Sequence, residues 1–347
     1  MEKKRTLYLD VVKAAAICAV LTDHFRVLFP SPQLAGCISY FSVSSFIIVA
    51  GITTYYSIPR HADKILRGGY YKHRLGSLFC TYLVASFILY SVSFGNAVSD
   101  VHEFLITLIS FNMPGASYYV VLYTQLILIS PLIFVLIRKC VKSRFPFITV
   151  CALLIATLYV GYVSTMKGIQ LPYYGGAHYL LGGSYLFLFT FGMTLAAFDI
   201  PQKILRFGFG NLLAPISACV AFRCCLQIGW TVKPFEGWQL NPPGLILMWY
   251  AISVVWCISA FVQFFERYEL VAKCILQPVA TIGRYSLDIF LFHNVVYLLI
   301  AAYMPQTITG RIRNILLFVL PIVVPMLGRK IYTALKKWVV TNLKSDL

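Results

Sequence analysis

Eight ionisable side chains stand inside runs of apolar sequence: Asp10, Lys13, Asp23, His24, Arg26, Arg223, Asp288 and His293. A charge in hydrocarbon costs roughly 2.5–3.5 kcal/mol per residue on insertion scales, so such groups mark places to look for function. The first run, Leu7 to His24, carries four of them. Lys13 and His24 are eleven residues apart. On a helix that puts them within about 20° of one face and about 16 Å apart along the axis. Asp10 falls within about 40° of His24 on the same wheel. It also stands three residues before Lys13, a spacing at which the two can pair. Asp23 lies about 100° from His24 and is a poor partner for it within the helix. One helix face therefore carries a carboxylate and an ammonium toward one end and an imidazole toward the other. Imidazole is the side chain suited to proton transfer near neutral pH, and in His24 it would take the proton of an acceptor hydroxyl. The competing reading is a packing histidine bonded to a neighbouring helix.

A second basic feature is the segment Pro59 to Arg74, where Arg60, Lys64, Arg67, Lys72 and Arg74 face only Asp63. Such a cluster suits the phosphates of an anionic donor. Positively charged loops also set membrane orientation and bind anionic lipid heads, and that reading stays open beside the first. Farther along, Arg284 and Asp288 are four residues apart and can pair on a helix. His293 is placed in mid-membrane, as a packing group or a second polar contact. Arg223 is placed toward the outer half of its span, either snorkelling or lining an outer cavity. Neither a Walker A sequence, a dinucleotide fingerprint nor a Gly-x-Ser-x-Gly elbow is present. The ten cysteines show no Cys-x-x-Cys spacing and no cluster with histidine at metal spacing. They read as small apolar filler, and no metal and no tightly bound cofactor is expected.

The elements that must position these groups follow from composition. Of 347 residues, 59% are hydrophobic and 12% charged, and the mean hydropathy is +0.78. A soluble domain cannot hide that much apolar surface, so a soluble enzyme, a secreted disulfide scaffold and a disordered chain are excluded. A spanning helix needs roughly 20 apolar residues. Apolar runs between polar breaks give spans at 7–29, 38–58, 75–95, 117–137, 145–163, 179–198, 208–229, 244–264, 282–301 and 314–331. With the N-terminus inside, 22 of the 29 Lys and Arg lie in inner segments and four in outer ones. That bias explains the net charge of +17 without nucleic acid, and it places both termini in the cytoplasm. The expected fold is all-α: a polytopic helical bundle of about ten transmembrane helices, residues 1–347 forming one domain in the cell (inner) membrane, in contact with its lipids. The apolar stretch His102–Phe111 is short for a span and reads as an outer interfacial helix. Tyr118, Tyr119, Tyr173, Tyr174, Trp230 and Trp238 collect near outer span ends. They read either as an interfacial belt or as a stacking surface for sugar rings.

Three stretches resemble the acyltransferase-3 family of bacterial integral membrane acyltransferases. Leu9-Asp10-Val-Val-Lys13 followed by His24 is similar to the family's Asp-x-x-Arg/Lys…His opening. The Lys form resembles the branch called fucose acetylases. Ser45-Phe46-Ile-Ile-Val-Ala50-Gly51 is similar to Phe-Phe-x-x-Ser-Gly, and Tyr70-Tyr71-Lys72-His73-Arg74 follows it like the family's basic approach to span three. Ile282-Gly283-Arg-Tyr-Ser286…Phe290-Leu-Phe-His293 is similar to Gly-x-x-Ser-x-x-x-Tyr-x-x-His. Phe189-Thr-Phe-Gly192-Met also fits. The chain departs from the pattern at Ser77, where a second Arg is common, at Ala50, where Ser is usual, and at Tyr118 or Tyr119, where Trp is typical.

The resemblance implies acetyl-CoA, or another acyl-CoA, as cytoplasmic donor. It implies a hydroxyl of a surface polysaccharide or a lipid-linked sugar as acceptor. His24 then serves as general base or acyl carrier. Lys13 and Arg74, with Arg60, Lys64, Arg67 and Lys72, hold the CoA phosphates or orient the thioester. Asp10 pairs with Lys13, and His293 is a second polar contact. The competing class is a transporter or flippase for a polar or glycolipid substrate, which also places charges within spans and predicts matched broken helices in two halves. Pro131, Pro215, Pro321 and Pro325 show no such pairing. A receptor or assembly subunit, whose intramembrane charges pair structurally, is a third class.

Overall fold

A computed structural model describes residues 7–25, 29–60, 68–93, 100–113, 117–169, 179–228, 242–303 and 310–345. Its helices are α1 (Leu7–His24), α2 (Pro32–Ser39), α3 (Ser42–Ser57), α4 (Gly69–Ser93), α5 (Val101–Ile109), α6 (Ser117–Val141), α7 (Pro146–Met166) and α8 (Tyr185–Ala197). They continue as α9 (Ile200–Lys203), α10 (Leu213–Ile228), α11 (Leu245–Phe265), α12 (Glu269–Val271), α13 (Gln277–Arg284), α14 (Ser286–Tyr303) and α15 (Gly310–Ser345). No strand occurs among the described residues, so the all-α expectation holds.

Each of the ten expected spans overlaps helix among the described residues, the ninth falling across two helices. Seven stretches among the described residues are long and apolar enough to cross a membrane: Leu34–Arg60, Gly69–Ser93, Ser117–Val141, Pro146–Met166, Arg206–Leu226, Leu245–Phe265 and Ile312–Lys336. Tyr185–Ala197 and Ser286–Ile300 are apolar but shorter. α1 stands apart because its 18 residues include Asp10, Lys13 and Asp23. The expected His102–Phe111 helix is present as α5, Val101–Ile109.

α1 is enclosed by other helices. It packs on α2, α3, α11, α13 and α14, and Val12, Ala16, Ile17 and Leu21 have no exposed surface. A helix apolar around most of its circumference belongs in the interior, and its few ionisable groups are thereby kept from lipid. Hydrophobicity does not drive helix association in a bilayer, so close packing must supply much of the cohesion, and small residues permit it. At Gly51 a Cβ would collide with the Phe189 carbonyl, and at Gly192 with the Ile48 carbonyl. These two glycines let the backbones of α3 and α8 touch. Gly283 does the same on the other side of the bundle, where a Cβ would strike the Asp10 carbonyl.

One expectation is corrected. Span nine, read as a continuous helix, is broken: α13 stops at Arg284, Tyr285 leaves helical geometry (φ −99°, ψ 9°), and α14 starts at Ser286. The four-residue pairing of Arg284 with Asp288 requires an unbroken helix. It does not form; Arg284 instead turns to Asp10 and Asp288 toward Arg329.

Candidate functional site

Asp10 is 2% exposed. Its Oδ1 lies 2.6 Å from Lys13 Nζ, the expected pair, and its Oδ2 accepts from Arg284 Nε at 3.4 Å. A buried carboxylate between two cations satisfies the rule that buried charges are paired. Lys13 and Arg284 then project into a cavity of about 300 Å³ beside the first half of α1. The third cation lining it is Arg74 of α4. α4 is fixed by Tyr70, which has no exposed surface and whose hydroxyl is 2.8 Å from Ser130 Oγ of α6. One turn on, Arg74 Nη2 donates to Thr54 Oγ1 at 2.7 Å, and the guanidinium carbon sits 6.0 Å from the Tyr123 ring centre. Arg74 Nε is buried with no hydrogen-bond partner. An unmet buried donor carries a desolvation penalty that a bound acceptor would remove. Among the described residues lining this cavity there is no carboxylate, so its field is positive and suits an anionic ligand.

His24 lies at the far end of α1, in a second cavity of about 180 Å³. The imidazole is exposed. Its ring centre is 4.7 Å from that of His293, with the planes at 65°. His293 has no exposed surface. Its Nδ1 donates to the Phe290 carbonyl at 2.7 Å, which leaves Nε2 as the acceptor nitrogen, buried and without a hydrogen-bond partner.

Hydroxyl groups surround His24. α2 is started by Ser31, whose side chain accepts from the Leu34 N–H, with Pro32 in the first turn. It delivers Ser39, whose Oγ lies 2.7 Å from the Gly36 carbonyl and 3.4 Å from Asp23 Oδ1. Ser42 and Ser44 follow at the start of α3. Tyr118 of α6 and Tyr185 of α8 complete a partly aromatic wall. Tyr185 arrives after a left-handed stretch: Leu181, Gly182 and Gly183 have φ of 56°, 78° and 58°. A non-glycine residue there costs on the order of 1–3 kcal/mol. The surroundings hold it, because the Leu181 N–H donates to Gln125 Oε1 at 2.7 Å and Ser184 Oγ to the Pro243 carbonyl at 2.7 Å.

The structure thus brings Lys13 and Arg74 to one cavity, with Asp10 behind them holding Lys13, and places His24 in another, with His293 packed against its ring. Tyr119, one residue from Tyr118, faces the cationic cavity, as the turn of about 100° per residue requires. Arg60 and Lys72 are exposed and line neither cavity, and Arg223 is exposed on α10, away from both. Arg26, Lys64, Arg67, Tyr173, Tyr174, Trp230 and Trp238 lie outside the described residues. Sequence reasoning missed Arg284 as a cavity residue, and Thr54 and Tyr123 altogether; Phe290 was named only as a member of the third family-like stretch, with no role. The available signal for Arg284 was its neighbour Gly283, a residue type that marks close backbone approach.

Fold and site together define an all-helical polytopic membrane protein with a cationic cavity and a histidine cavity placed along one central helix. The family profile described as "Acyltransferase domain" matches residues 6–329, nearly the whole chain. The chain belongs to this acyltransferase-3 family, and is a membrane acyltransferase. No curated protein and no solved structure matches it.

Proposed function

We propose that this acyltransferase moves an acetyl, or similarly small acyl, group from cytoplasmic acyl-CoA to a hydroxyl of a surface polysaccharide or a lipid-linked sugar, in the cell (inner) membrane. The observation that carries the reading is the pairing of two unlike cavities along α1. One is lined by Lys13, Arg74 and Arg284, the other by His24 among serine and tyrosine hydroxyls. Guanidinium and ammonium groups suit the phosphates of CoA. Arg60, Lys64, Arg67 and Lys72 add positive charge to the sequence just before Arg74. Aromatic rings and short hydroxyl side chains suit a sugar. The both-termini-inside orientation, taken from the Lys and Arg distribution, puts the cationic cavity on the donor's side.

In the reaction, His24 takes the proton from the acceptor hydroxyl as that oxygen attacks the thioester carbonyl carbon. The new C–O bond forms, the C–S bond breaks, and the proton passes from the imidazole to the departing thiolate. The products are an ester and free CoA thiol. Asp10 holds Lys13 and Arg284 in place, and His293 packs against the base and orients it. The small outer cavity and the Lys13 form of the opening motif support a sugar O-acetyltransferase.

The test is mass spectrometry of surface glycans from cells with the gene deleted, restored, or restored as His24→Ala. Removing a general base typically costs a factor of 10²–10⁴. The expected result is therefore loss of one acyl mass per modified sugar in the deletion, recovered by the unaltered gene and not by His24→Ala at equal protein level. Normal acylation with missing or truncated glycan in the deletion would overturn the reading in favour of a transporter.

A further inference from the structure

Phe290 lines both cavities. Its ring centre lies 4.9 Å from that of Tyr119 and 6.1 Å from that of Phe46, and those two are 6.3 Å from each other. All three side chains are buried, Phe290 at 4% exposure. Together they form a three-ring partition between the cations and His24. The backbone of Phe290 has a second task, because its carbonyl holds His293 Nδ1, and His293 in turn lies edge-on against His24.

We propose that Phe290, backed by Phe46 and Tyr119, is the constriction that the acyl group crosses, and that it sets the longest acyl chain this enzyme transfers. The proposal rests on the acyl-transfer reading above. If CoA phosphates are held at Lys13 and Arg74 while proton transfer occurs at His24, the acyl carbon must pass the plane of Phe290. Among the described residues, no other side chain borders both cavities. Aromatic rings packed edge-to-face hold their arrangement through contact with one another, so opening the partition means turning a ring about its side-chain bonds. The empty space on both sides receives the turned ring without displacing α14. The opening left by one turned phenyl ring is narrow. A two-carbon acyl group passes it with little further movement, whereas each added methylene must displace Phe46 or Tyr119 as well. Closed, the same partition separates the thioester from water in the His24 cavity until an acceptor is present.

The experiment uses membranes containing the full chain, presented with acetyl-, propionyl-, butyryl- and hexanoyl-CoA, and reads each acyl group on the cell's own glycan fraction by mass spectrometry. The quantity is the ratio of butyryl to acetyl transfer. It is insensitive to a general loss of folded protein. Phe290→Ala is expected to raise that ratio at least tenfold over the unaltered enzyme, and Phe290→Trp to lower propionyl against acetyl transfer several-fold. Phe290→Leu, closer in volume, gives an intermediate rise and serves if the alanine variant does not fold. Acetyl transfer that persists in these variants with an unchanged chain-length ratio overturns the constriction and leaves the acyl-CoA reading standing. An unaltered enzyme that transfers no acyl group from any of the four donors overturns both.

Discussion

Asp10 is held by a lysine one turn away and by an arginine 274 positions later. Asp10 is buried while Lys13 is 22% and Arg284 42% exposed, so removing the carboxylate leaves two partly solvated cations, and the cost falls below that of a fully buried pair. Asp10→Asn is still expected to lower thermal stability in detergent, and Arg284→Gln in the same chain to recover part of the loss. A double variant no more stable than Asp10→Asn alone would show that Arg284 does not depend on the carboxylate. At this scale the sequence was partly legible. The Asp10–Lys13 pair follows from spacing alone, and so does the alignment of Lys13 with His24 on one face. Arg284 was misread because the four-residue spacing assumes an unbroken helix, and the helix breaks at Tyr285, next to the Gly283 contact with the Asp10 backbone.

Between α3 and α8 the contact is backbone on backbone, through Gly51 and Gly192. Any larger side chain must push the two helices apart. Overpacking typically costs about 1–3 kcal/mol, and here both colliding atoms are carbonyl oxygens that cannot turn aside. Gly192→Leu is expected to reduce the unfolding midpoint in detergent by several degrees, with a smaller drop for Gly192→Ala. Equal midpoints for all three chains would remove this contact from the account of stability. Helix positions were readable because long apolar runs are a strong signal. The short α8 and the broken α13–α14 were less so, since a run of apolar residues does not record where neighbouring helices interrupt it. The αL stretch at Leu181 was not readable at all. Its support comes from Gln125 and from the Pro243 carbonyl that takes the Ser184 hydroxyl, groups brought there by tertiary packing.

For the whole molecule, the 22-to-four distribution of basic residues predicts that both ends face the cytoplasm. Epitope tags fused to each end should resist protease in intact spheroplasts and be cleaved once the membrane is opened. Digestion of either tag from outside would break the even-span arrangement. The expectation of ten spans rests on the seven long apolar stretches together with α1, α8 and α14. What composition could reveal was the class of molecule; the orientation it predicts is what the tags test. What it could not reveal was that the polar groups divide between two cavities, because that division depends on Phe290 meeting Phe46 and Tyr119 from helices distant in the chain.

The bond between Asp10 and Arg284 has a consequence for synthesis. α1 is made first among these helices and α13 almost last, so the nascent chain must hold a carboxylate in or near the bilayer with only Lys13 to neutralise it. Asp10 and Lys13, adjacent on one turn, form a self-contained neutral pair that lets α1 wait. When α13 emerges and Gly283 seats against the Asp10 carbonyl, Arg284 joins that pair, and the cationic cavity is completed by the same event that locks the first helix to the last third of the protein.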